Sequence, residues 1–330
     1  MSSVFESLRE TSGPAVAVEV AAHQVSAASI EYRAGTPVVA THATEALPPG
    51  ALVPSLTAAN VHNRSAVVEA LRRALERTGR PRRIGLVVPD LVAKVSFVRF
   101  EQTPSRHADL EQLVRWQVRK TAPFAVEEAQ VSFVPGLRAS DGQEFVVSLA
   151  RRAVVEEYES ICAEAGAHAG IVDLATFNVI NAVLASTPPA SMPGGEADWL
   201  LVNVAPDYAS IAILRGTHLI FFRNRVAAGG EEDEGTLPDL VHQAAMYYED
   251  RLSGGGFARV FLTGAHGAGP RHALDAEQVR RSLQERLGTV VESVDPRYAA
   301  ALTDRIAAGP GLLDTLTPLI GLLLRGRDAA

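Results

Sequence analysis

The stretch AVAVEVAAHQVSAASIEYRAGTPVV, residues 15–39, has the alternating pattern of two β-strands joined by a tight turn. A second stretch, WLLVNVAPDYASIAILRGTHLIFF at residues 199–222, has the same pattern. Residues 18–21 align with residues 202–205, and Ser26 aligns with Ser210. Chance similarity between two amphipathic hairpins is the alternative, but both stretches also continue into a turn with arginine, glycine and threonine. The repeat therefore predicts a duplicated structural unit.

The composition limits the class of protein. A chain of 330 residues with 47% apolar residues can bury the cores of two domains. The net charge is −7 and the basic residues do not gather into one stripe, so nucleic acid is not an expected partner. Cys162 is the only cysteine, which excludes an internal disulfide and favours the reducing cytosol.

The sequence also predicts how the protein relates to a membrane. The first residues, MSSVFESLRE, lack the apolar segment of a signal peptide. The apolar run at residues 317–326 is too short to cross a bilayer. We therefore expect a cytoplasmic protein with no direct membrane insertion, recruited to the inner membrane face through a partner.

Helices and strands alternate along the chain. A linker rich in proline and glycine, residues 187–198, separates two such series. Before it we predict strands at 82–89, 95–101, 129–137 and 144–150, and helices at 65–79, 105–120, 152–167 and 173–186. After it come the second hairpin, an acidic turn at 231–234, helices at 237–253, 275–288 and 312–324, and strands at 259–264 and 290–294. This order predicts a duplicated α/β domain.

Four segments resemble the PilM family of type IV pilus assembly proteins, a branch of the actin-like ATPase superfamily. They are residues 113–133, 144–186, 223–230 and 318–326. The resemblance implies an actin-like (RNase H-like) α/β fold with two related lobes. The first lobe would span residues 1–190, with an inserted subdomain at about 90–150. The second, reduced lobe would span 191–330, with a terminal helix at about 312–325 returning to the first lobe.

The loops that hold nucleotide in this family are altered here. The resemblance places the phosphate loops and the adenosine-side loop at Glu19, Ala21 and Ser26, at Asn203 and Ala205, and at Gly264 and Ala265. Glycine at such turns permits positive φ and close approach of phosphate, and alanine in such a conformation costs about 1 kcal/mol. Asn203 replaces an anionic group of the magnesium shell. Residues 231–236 also stand where the family has a helical subdomain.

These changes predict a pocket that no longer serves a nucleotide. We expect no cofactor, no catalytic residues and no enzyme activity, with bound ATP and magnesium as the alternative. The resemblance implies a non-catalytic adaptor of the pilus assembly platform. The competing interpretations are an ATP-binding ATPase or kinase-like protein and a cytoplasmic component of a type II secretion platform.

Other chemical motifs are weak. His266 and His272 lack an acidic neighbour placed as a ligand, so no metal site is expected. Glu127 and Glu128 have no partner carboxylate at a suitable spacing and are predicted to be a surface pair. The sequence contains no Gly-x-x-x-x-Gly-Lys, Gly-x-Ser-x-Gly or Cys-x-x-Cys motif.

The resemblance also implies a partner, the cytoplasmic N-terminal tail of a PilN-like single-span membrane protein. Family members take this tail in a groove between the first lobe and the inserted subdomain. The residues predicted to form that groove are Trp116, Arg119, Lys120, Pro123 and Phe124. The competing interpretation is that Trp116 and Phe124 are core aromatics. Other platform proteins and a second copy of the chain are further possible partners.

Overall fold

The computed structural model describes residues 13–186, 197–226, 237–266 and 276–325. The strands are β1 (Val16–Val20), β2 (Gln24–Arg33), β3 (Thr36–Ala46), β4 (Arg83–Val88), β5 (Ala93–Phe100), β6 (Ala129–Ala139), β7 (Gly142–Arg151), β8 (His168–Leu174), β9 (Asp198–Val204), β10 (Tyr208–Arg215), β11 (His218–Val226), β12 (Arg259–Thr263), β13 (Val291–Ser293) and β14 (Ala301–Leu302). The α-helices are α1 (Arg64–Arg77), α2 (His107–Val118), α3 (Arg152–Glu164), α4 (Ala175–Ser186), α5 (Leu237–Leu252), α6 (Ala276–Leu287) and α7 (Pro310–Leu324).

Two of the three sheets share five strands in the same order, and the first has an additional edge strand, β14. The sheet of the first lobe has the order β14-β3-β2-β1-β4-β8, and that of the second lobe has the order β11-β10-β9-β12-β13. In each, the first strand of a hairpin pairs antiparallel with the second and parallel with a later strand. Glu19 lies opposite Ser26, and Asn203 lies opposite Ser210. The predicted actin-like fold with two related lobes is confirmed, and the hairpins occupy equivalent places.

The third sheet is inserted between β4 and α3. Its order is β5-β7-β6, and its strands pair antiparallel. Helix α2 covers one face, where Val114 and Val118 pack with Phe145 and Val147. Along β6, Val131 points into this small core while Gln130 and Ser132 are exposed, as expected for a strand covered on one face.

The terminal helix α7 is buried from Leu316 to Leu323, where nearly all of its side chains are apolar. It packs against α4 and against β1, β2 and β4 of the first lobe. At the crossing with α4, a Cβ added to Gly321 would lie 1.7 Å from the carbonyl oxygen of Asn178, so only glycine fits there. Among the helices that the structure describes, none combines the length and the apolarity needed to span a bilayer.

Two helix starts differ from the sequence-based expectation. The N-cap of α1 is Asn63, whose side-chain oxygen accepts a hydrogen bond from the backbone N–H of Ala66 at 3.2 Å. Helix α2 begins at His107, two residues later than predicted and without a side-chain cap. Residues 187–196 of the predicted linker, the acidic turn at 231–234 and His272 lie outside the described residues.

Candidate functional site

The two lobes meet at the ends of their equivalent strands, where β1, β4 and β9 bring polar side chains together. We call this region the interlobe cleft and define it by Glu19, Asp90, Thr176, Asn203, Asp207 and Ser210. Asp90 follows β4 in a short 3-10 turn, Asp90–Val92, and is fully buried. The carboxyl ends of adjacent parallel strands are where open α/β sheets usually place functional groups.

The carboxylate of Asp90 accepts hydrogen bonds from both lobes. The backbone N–H of Thr176 donates to Oδ1 at 3.0 Å, and the Ser210 hydroxyl donates to Oδ2 at 2.6 Å. The Thr176 hydroxyl also donates to Oδ2. Burial raises the pKa of Asp90, and the bonds from Ser210 and Thr176 oppose that rise. Asp90 is thus the centre of a hydrogen-bond network that joins the lobes.

Two asparagines of the second lobe extend this network. The Asn203 amide donates to the hydroxyl of Thr176 at 2.8 Å, and the Asn224 amide donates to the carbonyl oxygen of Asp90 at 3.0 Å. Asn203 and Thr176 are both buried. Asn203 therefore acts as a donor from the second lobe to the first.

Glu19 and Asp207 lie near Asp90 and add negative charge to the cleft. Burial, with smaller contributions from Asp90 and Asp207, raises the pKa of Glu19 to about 8. Burial raises the pKa of Asp207 to about 6, and one of its carboxylate oxygens is buried without a hydrogen-bond partner. At neutral pH the Glu19 carboxyl is thus mostly protonated, because the cleft disfavours a further charge.

The turns of the two hairpins have similar hydrogen bonds. The N–H of Ala21 donates to the carbonyl oxygen of Gln24 at 3.0 Å, and that of Ala205 donates to Tyr208 at 2.8 Å. Within the described residues, Ala21 and Ala205 are not among the non-glycine residues with positive φ. The strain expected for alanine at positive φ is therefore absent, because Ala21 and Ala205 do not have the positive φ that a glycine would permit.

The two equivalent serines have different roles. Ser26 lies 3.5 Å, oxygen to oxygen, from Thr44 within the first lobe. Ser210 bonds across the cleft to Asp90. The duplicated unit thus carries the interlobe bond on the second copy only.

The adenosine-side loop at Gly264 and Ala265 is closely packed. Gly264 has φ +81, and a Cβ added there would lie 1.8 Å from the carbonyl oxygen of Val204. Asp314 of α7 accepts hydrogen bonds from the Thr263 hydroxyl at 3.2 Å and from the His266 N–H at 2.9 Å. The terminal helix therefore fixes this loop of the second lobe while packing on the first lobe.

Glu127, Glu128 and His266, three of the polar groups noted in the sequence, lie within the described residues. In the part of the chain that the structure describes, no three His, Cys, Asp or Glu side chains are placed to hold a metal ion. Glu128 pairs with Arg151 at 3.0 Å on the surface, and Glu127 is exposed. His266 does have an acidic neighbour, Asp314 at 3.1 Å, which the sequence did not indicate.

A cavity of about 750 Å³ separates the inserted sheet from the first lobe. We call it the insertion groove. Its walls come from β6 and β7, from α3, β8 and α4, and from the β10–β11 turn. Apolar lining residues include Val134, Phe177 and Leu184, and charged ones include Arg152, Glu156 and the Asp173–Arg325 ion pair. Burial raises the pKa of Asp173, and Arg325 opposes that rise.

The five residues predicted to bind a peptide lie elsewhere, at the C-terminal end of α2 and the corner that follows. Trp116 is 61% exposed, and the ammonium group of Lys120 lies 5.7 Å from the centre of its ring. Arg119 and Pro123 are exposed, while Phe124 packs against the core of the inserted sheet. None of the five lines the insertion groove.

Four residues of the cleft and its surroundings were not predicted from the sequence: Asp90, Thr176, Asp207 and Asp314. Asp90 could have been found, because an acid directly after the buried strand RIGLVV and a proline is placed at the carboxyl end of a parallel strand. The other three come from separate segments, and no local pattern in the sequence indicates that they meet.

Two lobes of equal topology around a cleft, with a small sheet inserted in the first, define the class: an α/β protein of actin-like fold. A family model described as "Type IV pilus assembly protein PilM" matches residues 17–238, two thirds of the chain. The chain therefore belongs to the PilM family of type IV pilus assembly proteins.

The chain is similar to solved structures of other proteins, and the first of these supports the fold. A "PilM-PilN type IV pilus biogenesis complex" is similar over 95% of this chain and 97% of that chain, with 18% identity and a TM-score of 0.76. A protein of actin-like ATPase fold and unknown function from Bacteroides thetaiotaomicron covers 86% of this chain and 92% of its own, with 9% identity and a TM-score of 0.48. The cytoplasmic domain of EpsL, an inner membrane component of the type II secretion system of Vibrio cholerae, covers 75% and 80%, with 12% identity and a TM-score of 0.47.

Proposed function

We propose that the chain is a non-catalytic cytoplasmic adaptor that binds the tail of a PilN-like membrane protein in the insertion groove. The observation that carries the proposal is the groove itself, in a protein of the PilM family similar to a PilM–PilN complex. Through this tail the adaptor is held at the inner membrane face. The proposal moves the peptide site from the corner around Trp116 to the groove.

The groove suits an extended peptide. Gln130, Ser132 and Val134 of β6 all line it, since alternate residues of a strand point to one side. Within the described residues β6 pairs with β7 alone, so its other edge makes no hydrogen bonds to a neighbouring strand. Extended peptides bind such edges through backbone hydrogen bonds and a few side-chain pockets.

The lining also supports a preferred peptide composition. Phe177 and Leu184 offer an apolar surface, Arg152 offers a positive charge, and Glu156 a negative one. A tail with one apolar anchor and neighbouring charges of both signs complements these groups.

Peptide titration by calorimetry tests this site. The probe is the cytoplasmic tail of the PilN-like protein from the same genome. Ser132→Trp places a large ring in the groove, and Ser140→Trp introduces the same ring on the exposed β6–β7 turn as a matched control. We expect Ser132→Trp to weaken binding at least about tenfold and Ser140→Trp to leave it unchanged. Equal affinity for both variants and the unaltered chain would move the site out of the groove.

The hydrogen bonds and acids of the interlobe cleft support the proposal that the protein is not catalytic. The Asp90 carboxylate already accepts three hydrogen bonds. Glu19 adds a third acid beside Asp90 and Asp207. Ala21 and Ala205 stand where the resemblance places glycines. An Asp90 carboxylate that already accepts these bonds, with two further acids beside it, is a poor fit for a triphosphate.

Calorimetric titration with ATP and magnesium tests this second part. We expect no binding tighter than about 100 μM, which corresponds to about 5.5 kcal/mol. Tighter binding that is lost in Asp90→Ala would show that the cleft still serves a nucleotide and would favour the ATP-binding alternative.

A further inference from the structure

An arginine-rich segment lies on the first lobe, away from the interlobe cleft. Residues 72–83 contain six arginines and one glutamate, a local charge of +5 in a chain whose net charge is −7. The arginines are Arg72, Arg73, Arg77, Arg80, Arg82 and Arg83, and we call them the basic edge. They occupy the last turns of α1, the loop after it and the first residue of β4. The expectation that the basic residues do not gather is therefore wrong for this segment, because the negative net charge of the whole chain conceals it.

All six side chains are exposed. Arg73 and Arg77 share Glu45, while Arg72 pairs with Glu69 and Arg80 with Glu76. The pairs with Glu69 and Glu76 are exposed on both sides and hold their partners weakly, so Arg72 and Arg80 can still contact another anion. Glu45 is largely buried, but the guanidinium groups of Arg73 and Arg77 keep exposed surface beside it. Within the described residues, Arg82 and Arg83 take part in no ion pair.

The basic edge borders the insertion groove. Arg83 begins β4 and pairs with His168, the first residue of the neighbouring strand β8. Its guanidinium lies over Gly170 of β8, where an added Cβ would come within 3.3 Å of it. Gly170 lines the groove, so one end of the proposed peptide site is next to the arginines.

We propose that the basic edge contacts the anionic phospholipid headgroups of the membrane in which the partner is anchored. The inference rests on the proposed function. A tail held in the groove is joined to the partner's membrane helix, so it keeps the adaptor close to the bilayer. Several arginines on one face attract an anionic bilayer cooperatively, and the attraction falls within a Debye length. The tail alone would only tether the adaptor to the membrane, and the basic edge would fix its orientation there.

Vesicle co-sedimentation of the full chain, without any peptide, tests this surface. The probes are phosphatidylglycerol vesicles, phosphatidylcholine vesicles and free inorganic phosphate as a competitor. We expect binding to the anionic vesicles only, weakening as salt is raised and not removed by millimolar phosphate. Arg82→Glu with Arg83→Glu should lower that binding at least about tenfold. A matched pair on the second lobe, Arg251→Glu with Arg281→Glu, changes the net charge equally and should lower it far less.

Arg80→Glu with Arg82→Glu replaces the first pair if Arg83→Glu impairs folding, as judged by thermal melting. The proposal is overturned if the unaltered chain does not bind anionic vesicles. It is also overturned if the two charge-reversed pairs lower that binding equally. Tighter binding to a DNA duplex than to the vesicles also overturns it, in favour of another polyanion. Peptide affinity measured on the same variants keeps the two proposals distinct. Intact peptide binding with no vesicle binding rejects the basic edge alone, and the reverse result rejects the groove.

Discussion

The interlobe cleft and the insertion groove both lie between two parts of the molecule, yet their side chains behave differently. In the cleft, the polar groups around Asp90 bond to one another, and Asp90 accepts from Thr176 and Ser210, while one oxygen of Asp207 is left without a partner. In the groove, a cavity of about 750 Å³ remains between side chains that keep exposed surface. A satisfied buried network rigidifies its surroundings, whereas an open concave surface can take a ligand. This difference supports our proposal that the cleft acts as a joint between the lobes and the groove as the peptide receptor.

The largest effect on stability should come from adding a side chain at Gly264, in the closely packed loop beside the cleft. Gly264→Ala adds a methyl group where the carbonyl oxygen of Val204 lies 1.8 Å away, at a residue with φ +81. We expect the free energy of unfolding to fall by about 4 kcal/mol, measured by chemical denaturation. Gly288→Ala is the control, since its φ is +63 but no atom lies within 4 Å, and it should cost about 1 kcal/mol. Equal losses would mean that the packing of this loop does not fix the cleft.

A second effect concerns the charge of the cleft. The pKa of Glu19 is raised from 4.5 to about 8. As the pH rises through this window the unfolded chain loses the proton that the folded chain keeps, so stability falls with pH. Glu19→Gln removes this loss, and we expect the variant to exceed the unaltered chain by about 2 kcal/mol at pH 8.

Denaturation at several pH values measures this difference. The advantage of Glu19→Gln should shrink as the pH falls toward 4.5, because both states of the unaltered chain then carry the proton. Glu31→Gln, at the exposed end of β2, should change stability little at any pH. An advantage of Glu19→Gln that is independent of pH would show that the carboxyl is not held protonated by the cleft.

A third effect tests the bond between the lobes. Ser210→Ala removes the donor to the Asp90 carboxylate and should cost about 1.5 kcal/mol, the typical value of a hydrogen bond to a charged group. Ser29→Ala removes an exposed bond to Thr41 within one lobe and should cost less than about 0.5 kcal/mol. Denaturation midpoints compare the two. Similar small losses would indicate that the network fills the cleft without joining the lobes.

The same comparison explains what the sequence could predict. The two hairpins were found because alternation and turn residues are local, and their register follows from them. The role of Asn203 as an interlobe donor could not be found, since its partner Thr176 lies 27 residues away on a helix of the other lobe. Likewise, the groove is formed by strands, helices and a turn from both halves of the chain, whereas the corner at Trp116 is a continuous segment. Sequence resemblance therefore pointed to the corner.

The smallest expected effect separates that corner from the groove. Trp116 is 61% exposed and contacts Lys120 at the surface, so Trp116→Ala should change the free energy of unfolding by less than about 0.5 kcal/mol. Phe124 packs into the core of the inserted sheet, and Phe124→Ala should cost about 2 kcal/mol. Because neither residue lines the insertion groove, we expect the tail peptide to bind a folded Trp116→Ala variant with unchanged affinity in calorimetry. A Trp116→Ala variant that melts normally but binds the peptide at least tenfold more weakly would return the peptide site to the corner. Trp116 is exposed and packs into no core, so its loss would not change the shape of the groove.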